Sequence, residues 1–162
     1  MDDVAGTAGI TRLIVYRHFP SKEALYEAVL DRVSVRLAEE LGARAGDGSR
    51  VPAVRTLLSV AREDPNGFAL LWRHAAREPQ FADAADRVRG HAVRLARAEI
   101  RGKLGDRTRE RWAADVLVSY LVSAVLHWLD DGTPRRDDEF VDLTTTATVA
   151  MVSAWAAYPP VL

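Results

Sequence analysis

Residues 12–22 bring Arg12, Arg17 and Lys22 together with His18 in one short stretch that contains no acid. Such a stretch attracts anions, phosphate backbones above all. Just before it, Val4, Ala5, Gly6, Thr7 and Ala8 read as a short helix closed by a turn at Gly9. Thr11 is placed to N-cap a second short helix. Ala5 and Ala8 are small enough to let two helices approach, and Gly9 allows a tight turn between them. Two helices in that relation form a helix-turn-helix, whose second member lies in a major groove with its N-terminal residues toward the base edges. That orientation would present Thr11, Arg12, Leu13 and Val15 there.

A second set of side chains points to ligand chemistry. Phe68, Leu71, Trp72, Phe81, Val88, His91, Leu95, Trp112, Val116, Tyr120, His127 and Trp128 are large apolar or amphipathic residues spread over three segments of helical periodicity. Trp112, Val116, Tyr120, Ser123 and His127 fall on one face at three-to-four spacing. A mostly apolar cavity with a few polar tips suits a small molecule, and the same stripe also suits a plain helical core. The residues expected to contact a ligand are Phe68, Leu71, Trp72, His91, Trp112, Val116, Tyr120 and His127. Catalytic patterns are missing: there is no G-x-S-x-G, no phosphate-binding glycine loop and no H-E-x-x-H. His18, His74, His91 and His127 are too scattered to suggest a metal site. The expectation is a non-enzyme without metal or cofactor.

The elements that must position these residues are helical throughout. From Ser21, an N-cap with Glu23 in the first turn, the positions Leu25, Ala28, Val29, Val33, Leu37 and Leu41 mark a long amphipathic helix. Gly42 and the segment 46–49 are expected to end it and to divide the chain into residues 1–41 and 50–162. Pro52 opens a helix to about Asp64, and Pro65, Asn66 and Gly67 read as a break. Further helices are expected over Phe68–Arg77, Gln80–Lys103, Arg107–Leu129 and from Asp137 to just before Pro159. Val116–Leu129 and Leu143–Tyr158 carry no formal charge at all. A helix apolar all round must be covered all round. Either both form the interior of a monomer, or a second subunit covers them in a four-helix interface. Ser119, Ser123, Ala124, Ala147, Ala150 and Ala154 are small enough for close approach.

Composition narrows the class. The chain has 162 residues, 22 Lys plus Arg, 23 Asp plus Glu and no cysteine, so neither a disulfide framework nor a thiolate site is available. The net charge of −1 hides a pattern. Residues 87–111 hold nine basic and three acidic side chains, a local +6, whereas residues 112–162 hold two basic and seven acidic, a local −5. Arg87, Arg94, Arg97 and Arg101 share one helical face. This face is solvated, takes an anionic ligand, or pairs with Asp137, Asp138 and Glu139. Leu143–Leu162 is uncharged over twenty residues, but four Thr, one Ser and the Pro159–Pro160 pair make it too polar and too interrupted for a membrane span. With no basic-then-apolar leader at the start, a cytoplasmic address is expected.

The run from Val4 to Leu30 closely resembles the DNA-binding core of TetR-family transcriptional regulators. The matching elements are Ala8-Gly9-Ile10, Tyr16-Arg17-His18-Phe19 and Ser21-Lys22-Glu23-Ala24-Leu25. The match covers about 30 residues and is specific; the remainder agrees only in outline. The segment Phe68–Pro79 is similar to one found in some members. The resemblance implies base contacts from Thr11, Arg12, Leu13 and Val15, phosphate contacts from Tyr16, His18 and Lys22, and core positions for Ile14, Phe19 and Leu25. It also implies a palindromic DNA operator, a homodimer formed through helices 107–129 and 137–158, a small-molecule effector and, in most members, repression.

Two departures from the family pattern matter. Leu13 stands where a small residue is common, which points to a different operator preference. The family also places a complete first helix before the segment that begins here at Asp2. The expected fold is therefore all-α: a helix-turn-helix module over 1–41 with its first helix missing, and a helical ligand-binding and dimerisation domain over 50–162. Weak or absent operator binding is expected from that arrangement. The alternative to a ligand-responsive regulator is a DNA-incompetent helical module that binds a ligand or dimerises.

Overall fold

In a computed structural model of the chain, the structure describes residues 16–46, 52–75 and 78–158. Among these residues there are helices and no strand. Tyr16–His18 are helical, and Ser21 then caps the first long helix, its Oγ accepting the Ala24 N–H at 3.1 Å. That helix, α1, spans Lys22–Gly46. It passes through Gly42, where it was expected to stop, because one exposed glycine in a helix costs only about 1 kcal/mol, less than the packing of Leu30, Val33, Leu37 and Leu41 returns.

Helix α2 covers Ala53–Glu63 and α3 covers Pro65–Ala69. The expected break over Pro65–Gly67 narrows to one residue. Asp64 leaves helical geometry (φ −142°, ψ 78°) and accepts the Gly67 N–H at 2.9 Å, while Pro65 occupies the first-turn position, where its missing N–H costs nothing. Gly67 is needed for contact as well as for the turn. A Cβ there would fall 2.7 Å from a Val33 methyl of α1 and 2.5 Å from the Asp64 carboxylate. Where a single α-helix over Phe68–Arg77 was expected, α3 runs into a π-helical turn over Leu70–His74 whose last bond joins Ala75 N–H to Leu70 O.

Helix α4 spans Pro79–Ile100, α5 spans Arg107–Asp131 and α6 spans Asp137–Ala157 after a 3-10 turn over Pro134–Arg136. Between α4 and α5 the chain turns on Gly102 and Gly105, both left-handed (φ 76° and 86°), a conformation that side chains resist. The buried Glu110 carboxylate accepts the Gly102 N–H, and Asp106 caps α5 by accepting from Thr108 and Arg109 at 2.7 and 2.9 Å.

One main core joins α1, α2, the α3–π unit, α4, α5 and the start of α6 around Leu37, Leu57, Phe68, Leu71, Phe81 and Val125. Tyr26 of α1 stacks on Phe81 of α4 at 4.1 Å, tying the beginnings of these two helices together. A smaller cluster of Ile100, Leu104, Ala113, Ala114 and Leu117 lies at the α4–α5 turn, with Met151, Val152 and Trp155 of α6 against it.

A polar clamp fixes α6 to its neighbours. Arg62 of α2 makes a two-pronged pair with Asp137 (2.8 and 3.1 Å), and Trp128 of α5 donates its indole N–H to the same carboxylate at 2.7 Å. Arg55 reaches Asp138 at 2.7 Å and Arg136 reaches Glu139 at 2.7 Å. The acidic start of α6 is thus taken by these three arginines, none of them from the basic stretch 87–111. Hydrogen bonds from Arg62 hold the Asp137 carboxyl below the ordinary aspartate range, against the opposing effect of burial and with help from Trp128. A carboxyl depressed in the folded state contributes stability that is present above its unfolded value, near pH 4, and is lost as pH falls through the lower folded value. Asp137→Ala should therefore cost about 2 kcal/mol at neutral pH, less than a fully buried pair because both partners are partly exposed. The loss should shrink below pH 4. Urea titrations at pH 7 and pH 3 check this; an equal cost at both would show that the charge is not responsible.

Candidate DNA-reading segment and regulatory cavity

Thr11, Arg12, Leu13 and Val15 lie outside the described residues. Tyr16, Arg17, His18 and Lys22 are exposed, while Phe19 and Leu25 are half-buried, so the anion-seeking residues face outward immediately before and at the start of α1. The Lys22 side chain sits in the first turn of a 25-residue helix, where backbone N–H groups also favour an anion.

A cavity of about 400 Å³ lies between α1, α2, the π turn, α4, α5 and α6. Its walls are mainly aliphatic: Leu37 and Leu41 from α1, Leu57 from α2, Val88 and Leu95 from α4, and Leu121 from α5. Trp72 and His91 line it as well, and Trp72 Nε1 and His91 Nε2 are buried without a hydrogen-bond partner. Glu99 and Lys103 also belong to the lining, and both are exposed, which puts them at its mouth. Thr148, Val149, Val152 and Ser153 of α6 complete the wall.

Of the side chains expected to meet a ligand, the structure brings Trp72 and His91 to this cavity. Phe68 and Leu71 are fully buried and lie outside its lining. Trp112, Val116, Tyr120 and His127 are also outside it. The face of α5 that lines the cavity is the other one, Leu117, Val118, Leu121 and Val122. Packing explains the reversal: Ala113 and Ala114 permit close approach of neighbouring helices and go inside together with Leu117. The bulkier stripe turns out, with Trp112 half exposed and its ring tilted against that of Trp155 at 4.8 Å. His127 is exposed and bonds the Ser123 carbonyl of its own helix at 2.8 Å. The contribution of α6 could not be read from residue types, since Thr148 and Val152 look like any helical surface until α4 and α5 are placed beside them.

The outer side of α6 carries Leu143, Ala147, Ala150 and Ala154 on one stripe; Leu143 is 63% exposed and both Ala150 and Ala154 are exposed. By length and composition alone, α5 and α6 are both apolar enough to cross a membrane. In α5 the inner face is spent on the core instead.

A predominantly helical body with an apolar cavity open at one mouth, following a sequence of helix-turn-helix pattern whose described end carries exposed basic residues, is the arrangement of a DNA-binding transcriptional regulator. The sequence profile of bacterial regulatory proteins of the tetR family matches residues 1–29. The chain is 30% identical over 152 residues to the HTH-type transcriptional activator FasR of Mycolicibacterium smegmatis, covering 89% of this chain and 69% of that protein. It is 31% identical over 134 residues to an uncharacterized HTH-type transcriptional regulator of Mycobacterium tuberculosis, covering 75% of this chain and 64% of that protein. The chain belongs to the TetR family and is a transcriptional regulator of that all-helical type.

Proposed function

We propose that the chain is a ligand-responsive, homodimeric regulator that reads a palindromic operator through Thr11, Arg12, Leu13 and Val15, with Tyr16, His18 and Lys22 on the phosphates. Bidentate Arg12 would suit a guanine, and Leu13 and Val15 would suit thymine methyls. The observation that carries the regulatory part is that α1 is both the helix continuing from the DNA-reading segment and a wall of the cavity, through Leu37, Ala38 and Leu41. A molecule that fits the cavity only at one tilt of α1 changes the spacing of the two reading heads in a dimer. The dimer reading rests on the outer stripe of α6 and the exposed Trp112, Ser119, Ser123 and His127 side of α5, two adjoining surfaces that a two-fold partner would cover. Repression is the commoner sign in the family, whereas FasR is named as an activator, so the proposed regulator acts with either sign.

The test is selection of genomic DNA fragments by the purified chain, followed by footprinting. Protection of a two-fold-symmetric site is expected, weak if this segment of the chain binds as the sequence pattern implies, and abolished by Arg12→Ala. Ala96 lines the cavity, so Ala96→Phe should keep DNA binding while losing release by any effector that acts on the parent. Failure of the parent chain to retain any fragment would favour the DNA-incompetent reading.

A further inference from the structure

Helix α6 is held unevenly along its length. Its first turns are fixed: the Asp137 carboxylate accepts from both Arg62 and Trp128, and Phe140 stacks on the Trp128 ring at 4.9 Å. The buried residues of α6, Phe140, Val141 and Thr144, all belong to this part. Among the described residues, none from Thr145 to Tyr158 is buried, whereas α5 has buried residues from Glu110 to Leu126. The cavity is the reason. Thr148, Val149, Val152 and Ser153 line it where core side chains would otherwise stand, and Val149 is 60% exposed at its rim. The far end of α6 is then caught again. Trp155 leans on Trp112 and on the Ile100–Leu104 cluster, and Arg109 donates to the Tyr158 carbonyl at 2.9 Å. The two attachments are unequal. The first combines a charge-assisted pair with a stack on the buried Phe140, and the second rests on partly exposed aromatics. A segment with few buried contacts opens locally at small cost, and it opens from its weaker end.

We propose that α6 is a hinged wall of the cavity: its half beyond Thr144 swings away from α4 about the Asp137 clamp, admits a molecule and closes on it, with Trp155 on Trp112 as the latch. This rests on the reading of the cavity as the effector site and names how that site is entered. The stripe headed by Leu143 lies on the opposite side of α6, so the swing carries the proposed dimer surface with it.

The experiment follows uptake of the fluorescent probe N-phenyl-1-naphthylamine by the full chain in a stopped-flow instrument. The chain has no cysteine, so Arg109→Cys with Tyr158→Cys supplies two thiols that a short bis-methanethiosulfonate bridges and a reductant releases. Neither residue lines the cavity. Bridging should slow uptake about tenfold or more, and reduction of the same sample should restore it. Equal rates in the bridged and reduced forms would overturn the hinged wall, since the mouth would then suffice as it stands. That comparison uses one folded variant in two covalent states. Trp155→Ala should speed uptake and release together by about threefold or more, within the range of one aromatic pair, and leave the probe's dissociation constant nearly unchanged. Weaker binding with no faster uptake would make Trp155 a packing residue and overturn its role as the latch. Probe binding that is unchanged in Ala96→Phe would instead overturn the cavity as the site.

Discussion

Phe68→Ala should lower folding stability by about 3–5 kcal/mol and the melting temperature by on the order of 10 °C. Among the described residues, Phe68 is the largest fully buried side chain. It sits where α3 comes close enough to α1 to exclude a Cβ at Gly67, and its ring lies 6.3 Å from that of Trp72. Closely approaching backbones cannot collapse further into the void, so the upper part of the usual cost for such a truncation applies. Calorimetry checks the value. A cost near 1 kcal/mol would mean that the α3–π unit can shift inward, and the tight contact at Gly67 would not be the constraint described here.

In the proposed dimer, Ala150→Arg should favour the monomer, raising the dissociation constant by at least about 100-fold, which corresponds to roughly 3 kcal/mol. Ala150 is exposed in the protomer and lies between Ala147 and Ala154 on the stripe headed by Leu143. Only small residues let two such helices approach, and a guanidinium inserted there would be desolvated without a partner. Circular dichroism should show a folded chain, because the substitution points away from the core. Sedimentation velocity should show half the mass, and operator affinity should fall with it, since one reading head reaches one half-site. Asp83→Arg, on the exposed side of α4, serves as the charge control. An unchanged mass in the Ala150 variant, or a parent chain already monomeric at micromolar concentration, would remove α6 from the interface.

The helices themselves were legible. Long apolar periodic segments bounded by Gly and Pro read as α4, α5 and α6 to within a few residues, because each boundary has a local cause such as the Asp106 cap or the first-turn Pro79. Pro65 misled, since proline stops one helix and starts the next equally well, and only the Asp64 geometry decides which. The π turn carried no signal in residue type. The orientation of α5 was not legible for a different reason: both of its faces are apolar. Aromatic size suggested the inner face, whereas close packing required the alanines there. Trp72 and His91 were among the residues expected to meet a ligand, yet their unpartnered nitrogens emerge only once the surrounding helices seal them.

Leu37, Ala38 and Leu41 put α1, the helix that follows the proposed DNA-reading segment, in the wall of the cavity, which the proposed function couples to operator binding. Equilibrium then runs both ways. If a bound molecule weakens operator affinity tenfold, about 1.4 kcal/mol, operator DNA must weaken that molecule's affinity by the same tenfold. A chain sitting on its site is thus a poorer sensor than the same chain in free solution. The concentration at which the cell hears the signal is set partly by how many operators it holds.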